Sequence, residues 1–189
     1  MKRIQRYIAL LCILVSGLLA GCGGSSAPGS APTTTTTATT TTPPEASQSP
    51  TKSILKLSTQ GVLPQGTQLS GLGVTIQLPT GTTVATDSTT PVTVSSGVVT
   101  ISGVAAQAGN SAMLPPVYKP ATSTAPGTLE LVIAGNFGVG EFATVNCSTS
   151  SGSTPPTSSN VTAISFSPTD QLLRPVTGLS TGVNVTLIP

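Results

Sequence analysis

The sequence predicts an all-β domain, an antiparallel β-sandwich of about eight strands, preceded by a signal helix and a disordered tether. Three observations carry that expectation. The chain is rich in Thr, Ser, Gly and Val and only 6% charged, and branched Cβ atoms pack well on a pleated surface. Past the leader, apolar residues alternate in short runs that Gly and Pro punctuate, the pattern of strands joined by turns. No segment there shows convincing helical periodicity.

The first 21 residues read as a leader. Met1 to Tyr7 is basic and Ile8 to Leu19 almost wholly apolar, which suits the h-region of a signal peptide and falls short of a bilayer span. Leu19-Ala20-Gly21-Cys22 follows. It resembles the lipobox of bacterial lipoproteins: an aliphatic residue, two small residues, then the cysteine that takes diacylglycerol. Small side chains let a peptidase reach the backbone, and the thiol is the nucleophile for lipid transfer. The simpler alternatives are an ordinary secretory signal with a chance cysteine, or an uncleaved anchor.

The resemblance implies signal-peptidase recognition through Leu19, Ala20 and Gly21 and lipidation at Cys22. It also implies attachment to the membrane by acyl chains such as palmitate. Residue 23 is Gly rather than Asp, which in Gram-negative lipoproteins favours the outer membrane, on its periplasmic or its exposed face.

Residues 22–52 form the expected tether. Gly, Ser, Ala, Pro and Thr dominate it, with the runs Thr33 to Thr37 and Thr39 to Thr42. So few apolar groups cannot offset the entropy of ordering. Such a tether spans about 30 Å as a coil and up to about 90 Å extended. Its Thr/Pro composition also permits O-glycosylation.

Residues 53–189 form the expected sandwich. Leu55 and Leu57 bracket Lys56; Val74, Ile76 and Leu78 alternate with polar residues until Pro79. Val92 and Val94 flank Thr93, and Val99 and Ile101 flank Thr100. Leu129, Leu131 and Ile133 form another face, with Gly135-Asn136 as the turn after it. Ala143, Val145 and Cys147 share one side of the next run; Ile164 and Phe166 follow, then Val183, Val185 and Leu187. The Pro-rich stretch Leu114 to Pro126 reads as a long loop or edge excursion, and Ser148 to Asn160 as an exposed crossover.

Three segments also carry a resemblance to the cohesin-like sandwich, within the wider group that includes carbohydrate-binding modules. They are Gly71-Leu72-Gly73-Val74-Thr75-Ile76-Gln77-Leu78-Pro79, then Ala125-Pro126-Gly127-Thr128-Leu129-Glu130-Leu131-Val132-Ile133. The third is Gly138-Val139-Gly140-Glu141-Phe142-Ala143-Thr144-Val145-Asn146-Cys147. The resemblance implies binding to partner modules or polysaccharides without catalysis. The chain departs from many sugar-binding relatives in its few aromatics, three Phe, two Tyr and no Trp.

The chemistry that residue types permit is narrow. With no His, a hydrolase triad and His-based metal sites are excluded. Removing the leader leaves Lys52, Lys56, Lys119 and Arg174 against Glu45, Asp87, Glu130, Glu141 and Asp170, a balance of −1. No cations cluster, which argues against nucleic acid as a partner. Asp87 and Asp170 lack the closely spaced oxygen donors of a calcium site. Gly135, Gly138 and Gly140 do not follow dinucleotide-binding spacing and read as a tight hairpin.

That hairpin would bring Glu130 and Glu141 onto adjacent strands, where a carboxylate pair could hydrolyse glycosides; solvated charges at strand edges are the plainer reading. Cys12 leaves with the leader and Cys22 takes lipid, so Cys147 has no disulfide partner and reads as a small buried hydrophobe. The expectation is a non-enzymatic binding or assembly module with a protein partner and no cofactor or metal. The alternative is a carbohydrate-binding module.

Overall fold

The computed structural model describes residues 51–87 and 92–188. The leader, the Leu19-Ala20-Gly21-Cys22 motif and residues 22–50 of the tether lie outside the described residues.

The described residues form ten strands, in the order β1 (Thr51–Gln60), β2 (Leu69–Leu78), β3 (Thr82–Val84), β4 (Val99–Ile101), β5 (Ala112–Met113), β6 (Val117–Lys119), β7 (Gly127–Phe137), β8 (Glu141–Thr149), β9 (Thr162–Asp170) and β10 (Ser180–Ile188). One short helix among the described residues, α1 (Gly103–Gln107), follows β4. The strands make two five-stranded antiparallel sheets. The first, called A here, has the order β10-β1-β8-β3, with β4 also on β8; the second, B, has the order β5-β7-β2-β9, with β6 also on β7. The molecule is all-β and sandwich-like, as the alternation predicts.

The inward faces meet in one core. Leu55 and Leu57 of β1 lie opposite Val145 and Ala143 of β8. Val74, Ile76 and Leu78 of β2 face inward beside Leu129, Leu131 and Ile133 of β7, and all belong to a single buried cluster. Each fully buried Leu or Ile contributes roughly 1.5–3 kcal/mol. Phe142, at the start of β8, is wholly buried as well.

Four local expectations are corrected. Gly135-Asn136 is no turn: β7 continues through it to Phe137, which pairs with Leu69 and buries its ring. Gly135 serves a close approach instead. Its φ is +154°, and a Cβ there would collide with Ser111.

The chain turns at Gly138 to Gly140, and this is no hairpin, because β7 lies in sheet B and β8 in sheet A. Thr59 clamps that crossover. Its amide donates to the Gly140 carbonyl at 2.9 Å, and its hydroxyl accepts from the Gly140 amide at 2.9 Å.

Val92 to Val94 makes isolated bridges to Thr86 and Val117 rather than a strand, and Val92 is 51% exposed. Ile164 and Phe166 do not share a face. The β2–β9 register shifts between Thr75 and Ile76, so Ala163 sits opposite Ile76 while Phe166 sits opposite Val74. That bulge leaves Ile164 55% exposed. The Pro-rich excursion does lie at an edge, where β5 and β6 add short segments to β7.

Candidate binding surface

The two carboxylates that a hairpin would have paired are far from cooperating. Glu130 lies on the solvent side of β7 in sheet B; Glu141 opens β8 in sheet A. The intersheet crossover puts them on opposite outer faces of the sandwich. Both strands are also interior to their sheets, so neither charge guards an edge. Glu141 is 3.3 Å from Lys56 Nζ. The Ser102 hydroxyl holds its carboxyl below the usual range, and Lys56 adds to the effect. Exposed pairs of this kind contribute about 0–1 kcal/mol.

Asp170 is committed to a turn. Its carboxylate accepts from the amides of Leu172 and Arg174 at 2.8 and 2.9 Å and from Arg174 Nε at 2.9 Å. These bonds, the Arg174 side chain first, hold its pKa down. Cys147 faces the core of sheet A, 3% exposed, and burial pushes its thiol up to about 12. A thiol so seldom ionised is a poor nucleophile. Among the described residues no three His, Cys, Asp or Glu side chains converge as metal ligands, and no helix is long and apolar enough to cross a membrane.

The aromatic rings that a sugar would stack on are occupied in packing. Tyr118, Phe137 and Phe142 are at most 2% exposed, and Phe166 is half-buried.

The surface that stands out is the open side of the sandwich, where β10 ends sheet A and β9 ends sheet B. An open groove of about 600 Å³ runs between them, lined by Val161, Ala163, Phe166, Leu179, Thr181 and Val183 among others. The β9 bulge that turns Ala163 and Phe166 inward shapes one wall; the inward residues of β10 shape the other. Further along β10, Leu187 is 48% and Ile188 36% exposed.

Sequence reasoning found Val183, Val185 and Leu187 as a strand face but missed that the face is left partly uncovered. Strand order decides that. The sign in the sequence is a run from Ser180 to Ile188 with neither charge nor proline.

No known protein family, curated protein or solved structure matches this chain.

Proposed function

We propose that the protein is an envelope lipoprotein whose β-sandwich, cohesin-like in its strand pattern, is a non-enzymatic binding or assembly module for a protein partner. The lipid on Cys22, after cleavage behind Leu19-Ala20-Gly21, attaches the chain to the outer membrane, and residues 22–50 join it to the domain, which begins with β1 at Thr51. The observation that carries the binding reading is the open groove between β9 and β10, lined by both aliphatic and hydroxyl side chains, beside an uncharged strand edge. Extended peptide is the ligand such a surface suits, because an edge supplies main-chain donors and acceptors while a groove takes alternate side chains. The groove mixes aliphatic and hydroxyl side chains with a single aromatic ring, the half-buried Phe166, which favours an extended peptide over stacked sugar rings.

The ionisable side chains support the same reading. Lys56 pairs with Glu141, Arg174 with Asp170, and the Cys147 thiol is buried. These groups hold turns and faces together rather than converging on a reacting atom.

Two measurements test the proposal. Cys22→Ser should move the protein from the carbonate-washed membrane fraction to the soluble one; persistence in the membrane overturns the lipid anchor. A photocrosslinker at Leu187 in the full-length chain should trap protein, whereas adducts with polysaccharide alone would overturn a protein partner.

A further inference from the structure

Among the described residues the sandwich has edges on both sides, and all but one of these carry a device that resists strand addition. β3 and β4 are three residues each. β5 and β6 are two and three residues long, flanked by Pro115, Pro116 and Pro120. β9 is bulged opposite Thr75 and Ile76 and contains Pro168. Short length, bulges and proline are the usual means of blunting an edge. β10 itself is long, unbulged and free of proline, and Pro189 only follows its last residue. It pairs with β1 over nine consecutive residues, Lys52↔Ile188 to Gln60↔Ser180, without a register shift. Its outer edge is continuous, uncharged and partly apolar.

We propose that β10 pairs antiparallel with β10 of a second copy of this chain, joining two A sheets across a two-fold axis at Asn184. This rests on the reading of the domain as an assembly module and names its partner.

The sequence of β10 suits itself. Asn184 has four strand residues on either side. Centring the pair there places Val183 opposite Val185, Gly182 opposite Thr186, Thr181 opposite Leu187 and Ser180 opposite Ile188. Directly opposed residues of an antiparallel pair share a face, so the inward face meets the inward face. No like charges oppose each other.

The register also says what fills the groove. Thr181 and Val183 line it from β10. The residues arriving opposite them are the second copy's Leu187 and Val185, on the groove's side of the sheet. Leu187, half-exposed in one copy, gains cover at the mouth beside Phe166 and Leu179. A two-fold interface repeats the exchange, so both grooves and both Leu187 side chains are served by one contact.

Full-length chains carrying Asn184→Cys or Thr100→Cys test this, with the wild-type chain setting the background from Cys12, Cys22 and Cys147. Residues opposed across an antiparallel pair have Cα atoms about 4.5–5.5 Å apart, within disulfide reach. Mild oxidation should link Asn184→Cys into a dimer and leave Thr100→Cys, exposed on the same outer face of sheet A, at background.

Asn184→Asp supplies the second arm. Within one copy position 184 is exposed and lies opposite Lys56, which already pairs with Glu141, and an unchanged melting curve checks that the fold tolerates a carboxylate there. Across the axis two carboxylates would face each other and weaken dimerisation about fivefold or more by sedimentation. Crosslinking of Asn184→Cys no greater than that of Thr100→Cys, with a monomer at all concentrations, overturns the proposal. An adduct between position 184 and a different protein also overturns it, and in that case the binding-module reading survives without self-pairing.

Discussion

The Tyr118 hydroxyl, carried on β6 of sheet B, donates to the backbone carbonyl of Thr82 on β3 of sheet A at 3.4 Å. A short edge segment thus reaches through the core and holds the opposite sheet. The ring itself is 2% exposed, so its packing outweighs the single long hydrogen bond. Tyr118→Phe should cost about 1 kcal/mol, the net worth of one buried hydrogen bond. Tyr118→Ala should cost about 3–5 kcal/mol, since it adds a cavity. Urea unfolding of both variants checks the ratio; equal losses would mean that the bond, not the ring, joins the sheets.

Cys147 sets an alkaline limit. Burial raises its thiol from 9.0 to about 12, and Tyr118 is raised mainly by burial as well, with Cys147 adding to the effect. Both folded-state values lie above the unfolded ones, so the neutral groups favour the fold fully below about pH 9. Above it the unfolded chain ionises first, and stability falls as pH rises towards 12. Three pH units at about 1.4 kcal/mol each bound the Cys147 contribution at about 4 kcal/mol. Cys147→Ala should lose about 1 kcal/mol at pH 7 yet flatten the decline between pH 9 and 12. Denaturant midpoints measured across that range decide it; an undiminished decline would assign the limit to Tyr118.

The turn after β9 holds a residue in an unfavourable conformation. Leu173 has φ +58°, a left-handed conformation that costs a side-chain-bearing residue roughly 1–2 kcal/mol. Its neighbour Asp170 holds it there, accepting from Leu172 and Arg174 on either side. Leu173 is 78% exposed, so it packs against little. Leu173→Gly should therefore stabilise the domain by about 0.5–1 kcal/mol despite glycine's greater unfolded freedom. Asp170→Asn should do the opposite. Because the folded pKa of Asp170 is lowered, its contribution is present above about pH 4 and lost as pH falls through the folded value. The asparagine variant should show a flatter acid limb in thermal melts taken from pH 5 to 2.

These residues also show how far the fold was legible. Strict alternation located β1, β2, β4, β7, β8 and β10, because apolar side chains at every second position must share a face. Val145 and Cys147 are buried as that rule requires. Alternation failed where it was broken by one residue: Ile164 looks like a core position until the bulge in β9 moves it outward. Gly135 looks like a turn, yet the glycine is there for Ser111 to approach. The brief β3, β5 and β6 have too few residues to show a period, and they follow from pairing partners that the local sequence does not name. The groove was illegible for the same reason. It exists because β9 and β10 end their sheets on the same side, which is a matter of strand order.

Among the buried hydroxyls without a partner, three gather in one place and give the last prediction. Ser53, Thr82 and Thr149 are at most 2% exposed, and their hydroxyl oxygens have no hydrogen-bond partner among the described residues. Thr149 of β8 lies between Thr51 of β1 and Thr82 of β3, while Ser53 sits opposite the neighbouring inward residue Cys147. Three buried hydroxyls thus gather at one end of sheet A. A buried hydroxyl without a partner costs about 1–3 kcal/mol in lost hydration. Thr149→Val keeps the shape and the strand preference while removing the polar atom, so it should raise stability by about 1 kcal/mol. Thr82→Val should gain a similar amount, because the Tyr118 bond uses the Thr82 carbonyl and not its hydroxyl. The two positions are directly opposed and should not add independently; the double variant should differ from the sum by about 0.5 kcal/mol or more. Urea midpoints of the two single variants and the double measure all three terms. A loss of stability in Thr149→Val would reverse the argument, showing that the hydroxyl is hydrogen-bonded to a trapped water and that this end of the core is hydrated.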